Sequence, residues 1–182
     1  MLRDRCRMFT QLWVAFISAI LSATFAFPCQ RADPVSSVDM VRQADLILRV
    51  MAVEYAIAPR NLNERTTGEP DSRIRFKVLE VIRGGERSEL IFPGYLSETD
   101  DFNDHPSPYN AVRPTGRHGS CFANSYRLGA QFLLLLKKLP SGERAVNWYA
   151  LGPTNEQLHS SSDPWLLWVR EQVQKRSAGN RK

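Results

Sequence analysis

Residues 73–83 (RIRFKVLEVIR) place Ile74, Phe76 and Val78 on one parity and Arg73, Arg75 and Lys77 on the other. A period of two is the signature of an extended strand with one buried and one wet face, so the chain must build a sheet. Leu79 and Val81 then continue on the odd positions, which requires either burial of both faces or a bulge that re-aims the strand. Gly84 and Gly85 supply a turn and SELIF (88–92) a returning partner, giving a hairpin. A second strand is predicted over 44–57, where Leu46, Leu48, Val50 and Ala52 share a parity opposite Arg49 and Met51. The apolar run AQFLLLLKK (130–138) predicts a strand buried on both faces, and AVNWYAL (145–151) a fifth strand after the Ser141–Gly142 turn.

Two helices flank these strands. Ser36 and Ser37 can cap a short helix with Val38, Val41 and Ala44 on one side. Near the C-terminus, Asp163 and Pro164 provide an N-cap and an N1 proline for a helix whose Trp165, Trp168, Val169 and Val173 share a face that packs on the sheet. The fold class is therefore mainly β, with five strands, a short N-terminal helix and a C-terminal amphipathic helix. At 182 residues and 43% hydrophobic, the chain suits one globular domain and is too apolar for disorder.

Residues 1–26 read as a signal peptide. Arg3, Arg5 and Arg7 precede an uncharged stretch, and Thr24 and Ala26 stand at the positions signal peptidase reads, so cleavage leaves Phe27 first. The expected location is the periplasm or the exterior. The alternative is an inner-membrane anchor through residues 12–27, because the uncharged run from Met8 to Gln30 reaches 23 residues. Cleavage removes three Arg and one Asp, taking the formal net charge from +5 to +3. It also removes Cys6, leaving Cys29 and Cys121 as a natural disulfide pair in an oxidising compartment.

An export signal, a Cys near the mature N-terminus, a short helix, the strand ADLILRVMAVEYA, FKVLEVIRGG and then CFANSYRLGAQFLLLL occur in an order that resembles the netrin-like domain shared with tissue inhibitors of metalloproteinases. The resemblance implies a five-stranded OB-like barrel over residues 27–152, stapled by Cys29 and Cys121, with 153–182 as a linker and C-terminal helix. Members of that family that inhibit metalloproteinases chelate zinc through the α-amine of an N-terminal Cys. Here Phe27 and Pro28 precede Cys29, and Arg31 stands where the family has a second Cys. The resemblance thus implies the fold without that zinc chemistry, with a metalloproteinase-inhibitor-like protein as the alternative.

No nucleophile elbow, zincin helix, Walker loop or dinucleotide fingerprint occurs, so no catalytic residue, metal ligand or cofactor is expected. His118 stands three residues before Cys121 but is read as no catalytic base, an exported Cys with one available mate being a disulfide half. Glu98, Asp100, Asp101, Asp104 and His105 read as a solvated acidic loop, and His159 as an exposed residue of a Ser-rich linker. Arg73, Arg75 and Lys77 form a basic stripe too sparse for an expected nucleic-acid partner. The expected function is that of an exported, non-enzymatic binding module for a protein partner, touching the membrane only through an uncleaved signal. Residues 27–31 and the aperiodic loop 93–119 are its candidate surface, because long loops in compact domains carry function.

Overall fold

The computed structural model describes residues 35–61, 69–85, 87–142, 144–145 and 148–179. The signal segment, the candidate surface at 27–31, Cys6 and Cys29 lie outside the described residues. In chain order the elements are α1 (Ser37–Gln43), β1 (Leu46–Ile57), β2 (Arg73–Arg83), β3 (Glu89–Pro93), β4 (Tyr95–Ser97), a π-helical turn (Gly116–Ser120), β5 (Ser125–Arg127), β6 (Gln131–Lys138), β7 (Arg144–Ala145), β8 (Asn155–Leu158) and α2 (Pro164–Gly179).

The fold is mainly β. An antiparallel sheet runs β3-β2-β1-β6, and the far edge of β6 is shared by β7 at one end and β8 at the other. Among the described residues the two edges of this sheet do not pair, so no closed barrel is formed. β4 and β5 make a separate parallel pair. β4 is tied to β1 because the Leu96 backbone N–H donates to the Tyr55 hydroxyl at 2.8 Å.

The parity patterns translate into two cores. Leu46, Leu48, Val50 and Ala52 of β1 meet Ile74, Phe76, Phe132, Leu134 and Leu136 on one face. Ile47, Leu133 and Leu135 point through the sheet into a second core beneath α1 and α2. Both faces of β6 are thus removed from water, which explains its unbroken apolar run. The parity change in β2 is a bulge. Val78 opposes Val50 and Glu80 opposes Arg49, so Leu79 is an extra residue on β2.

Three expectations change. Of the fifth strand expected over 145–151, the described residues keep Ala145 in β7 while 148–151 form bends and turns, Leu151 with a left-handed φ of 58°. The chain there turns so that Trp148 and Tyr149 pack on the second core and the Trp148 indole N–H donates to the Leu135 carbonyl at 3.2 Å. In its place β8 forms within the stretch expected to be a linker, with all four residues buried. The face of α1 is Ser37, Met40 and Val41, while Val38 is exposed.

Cations close the C-terminal end of α1. Arg83 donates to the carbonyls of Val41 and Ala44, Arg176 of α2 to that of Arg42, and Lys137 to that of Gln43. These carbonyls have no helical partner of their own and carry the negative end of the helix dipole. Asp163 caps α2 as expected, accepting from the Trp165 backbone N–H at 2.9 Å. Trp165, Leu166 and Val169 of α2 are fully buried, and Trp165 stacks on both Tyr109 and Trp168. Arg170 grips Glu80 of β2 through two bonds of 3.0 and 2.5 Å, and the grip holds the Glu80 carboxyl below the usual carboxylate range.

Candidate functional site

Loop 98–124 has no periodicity, yet it is fastened to β8 by side chains that have left water. Arg113 is fully buried, Asp101 nearly so, and Glu156 and Asn155 completely. A buried guanidinium must find acceptors for its donors. Nη1 of Arg113 donates to Asp101 Oδ2 at 2.5 Å, Nε to the Asn155 carbonyl at 3.0 Å, and Nη2 to the Ala123 carbonyl at 3.2 Å. Its plane lies within 5.2 Å of the Tyr126 ring centroid and 5.3 Å of that of Phe132, a cation–π arrangement strengthened by the dry setting.

The carboxylates divide the remaining donors. Asp101 also accepts from the Thr115 backbone N–H at 3.2 Å and from its hydroxyl. Glu156 accepts from the Asn103 amide at 2.8 Å and from the Arg113 backbone N–H at 3.3 Å. Burial pushes the Glu156 carboxyl up to about 7, against the pull of Arg113. Burial likewise raises the Tyr126 hydroxyl, and raises that of Tyr109 to about 12 with help from Asp163 and Glu156. The Asn155 amide nitrogen donates to the Ala123 carbonyl and the Tyr126 hydroxyl, at 2.6 and 2.8 Å.

The arrangement corrects the reading of 98–105 as one solvated acidic loop. Three of the acids diverge, each to its own cation: Asp100 to Arg127 at 2.7 Å, Asp101 inward to Arg113, and Asp104 to Arg117. Among the described residues no group of three or more His, Cys, Asp or Glu side chains is placed to hold a metal ion. His159 is exposed, as expected, yet it makes two contacts. It stacks on Phe102 at 4.0 Å and its ring nitrogen meets Asp163 at 3.0 Å.

His118 is exposed on the π-helical turn. Cys121 follows that turn with φ 66°, and its carbonyl accepts the Leu151 N–H at 2.8 Å. Two of the three cations of the basic stripe on β2 are paired locally, Arg73 with Glu69 and Arg75 with both Glu54 and Glu89. Sequence reasoning singled out neither Arg113 nor Glu156. Both stand in polar, aperiodic segments, VRPTG and TNEQL, where nothing local separates a buried charge from a wet one.

What the clasp does physically is hold a loop surface in one shape. Asp104, Pro106, Pro108 and Asn110 stand exposed on it while Asp101, Asn103, Tyr109 and Arg113 anchor it from below. No protein-family model matches the chain, and no curated protein matches it.

Proposed function

We propose that the protein is an exported, non-enzymatic module of the cell envelope that binds a protein partner through the surface of loop 98–124. The observation that carries this reading is the clasp. A long aperiodic loop held by a buried ion pair and a buried acid is pre-organised, and pre-organisation lowers the ordering cost of binding. We also assign it the OB-type, netrin-like build that its sequence resembles. The long β1, shared by β2 and β6 and bulged against β2, supports that build, because bulges coil a sheet towards a small barrel. A Cys29–Cys121 disulfide would add a covalent staple to the loop itself, which contains Cys121.

The test uses the exported protein. Intact mass before and after reduction and alkylation is expected to show a chain starting at Phe27, with both thiols labelled only after reduction. A start at Cys29, or a thiol labelled in the native protein, would replace this reading with the inhibitor-like one, and an uncut signal would make the module membrane-tethered. Crosslinking in the envelope is then expected to trap a partner with the wild-type chain and lose it with the exposed-loop variant Asp104→Ala/Asn110→Ala. Equal trapping by both chains would remove the loop from the binding surface.

A further inference from the structure

Two carboxylates and one guanidinium share the dry space between loop 98–124 and β8, so the trio cannot be neutral when both acids are ionised. The guanidinium makes its direct charge-assisted bond to Asp101, at 2.5 Å. Glu156 receives only neutral donors, the Asn103 amide and the Arg113 backbone N–H. A carboxylate with neutral donors alone in a water-free site is the member of such a trio that holds the proton. Among the described residues, other elements add no cation there. Tyr126 of β5 faces the Arg113 guanidinium and bonds Asn155, Tyr109 feels the charges of both Glu156 and Asp163 of the α2 cap, and on β6 Glu156 is paired with Leu133. Beyond them His159 rests on Asp163, and Asp100 holds Arg127 and Gln157.

We propose that Glu156 is a proton switch for the loop surface. Protonated, it leaves the trio neutral and the clasp closed. Ionised, it places an uncompensated negative charge against Asp101, and the loop anchored by Asn103 and Arg113 loosens. The surface is then rigid in mildly acidic surroundings and mobile above neutrality. That this regulates binding rests on the function proposed above; the switch itself does not. The direction of Glu156, raised to about 7, agrees with this geometry.

Carbon-13 NMR of Glu-labelled full-length exported protein should show one carboxyl titrating near pH 7. Amide-exchange protection of residues 101–115, corrected for intrinsic exchange, should fall at least tenfold between pH 5.5 and 8.5. Glu156→Gln should hold that protection constant across the range, while His159→Gln should leave the wild-type dependence in place. The switch is overturned if every Glu carboxyl titrates below pH 5.5, or if His159→Gln abolishes the dependence. It is also overturned if Glu156→Gln keeps the dependence. The carboxyl titration reads the wild-type chain, so it decides the matter even if a variant does not fold. Equal trapping of a partner by the wild-type chain and the exposed-loop variant, with the pH dependence intact, would overturn the binding reading and leave the switch standing.

Discussion

Arg113 and Asp101 have both left water, and a buried pair is costly to half-remove because the survivor keeps its desolvation without its partner. Replacing Arg113 by Met should therefore cost about 3–5 kcal/mol, measured by urea unfolding. Arg113→Lys should recover only part of it. An ammonium cannot reach Asp101 and the carbonyls of Ala123 and Asn155 together as the guanidinium fork does. A loss under about 1 kcal/mol for Arg113→Met would mean that the loop is held by its backbone bonds instead. The same reasoning assigns Asn103 a bridging part, since its amide donates both to Glu156 and to the Ala111 carbonyl within the loop.

At the scale of elements, α2 shows how a helix is oriented by a few large side chains. Trp165 is fully buried between Tyr109 and Trp168, whereas Leu167, two residues on, is 49% exposed. Trp165→Ala should cost about 3–5 kcal/mol through lost transfer energy and the cavity left behind. Leu167→Ala should stay within about 0.5 kcal/mol, as exposed substitutions do. Thermal unfolding of the two variants checks the contrast, and similar losses would show that α2 docks by another face. The β2–β3 hairpin depends on Gly84, whose φ of 101° suits glycine and whose added Cβ would stand 2.5 Å from the Leu46 side chain.

For the whole molecule, the titrating groups pull stability in opposite directions. Glu80 is held low chiefly by its bond from Arg170, and Asp104 by its bond from Arg117. Asp100 is also low, although partial burial opposes the bonds from Arg127 and Gln157. A carboxyl depressed on folding adds stability that is present above its unfolded value and lost on acidification. Glu156 is raised on folding, so its contribution is fullest below its unfolded value and declines as pH climbs from 4.5 through about 7. The two trends together place the maximum of Tm near about pH 5. A scan from pH 3 to 9 should show a fall on both sides, and Glu156→Gln should flatten the alkaline limb.

Much of this architecture was legible in the chain. Strands β1 and β2 follow from a period of two, β3 from the Gly84–Gly85 turn before it, β6 from its unbroken apolar run, and both helices from their apolar spacing and the caps at Ser36 and Asp163, because those signals are local. The bulge at Leu79 showed as a change of parity, with its alternative still open. Only the tertiary structure decided that β8 fills the far edge of β6, that the chain turns at Leu151, and that Asp101, Arg113 and Glu156 converge. β8 has no apolar alternation to announce it, since Asn155, Glu156 and Gln157 are buried through bonds to loop 98–124 and only Leu158 joins a hydrophobic core. The convergence brings Glu156 to a pair more than forty positions before it, and whether a charge is wet or dry depends on what folds over it, which no stretch of sequence around Arg113 or Glu156 contains.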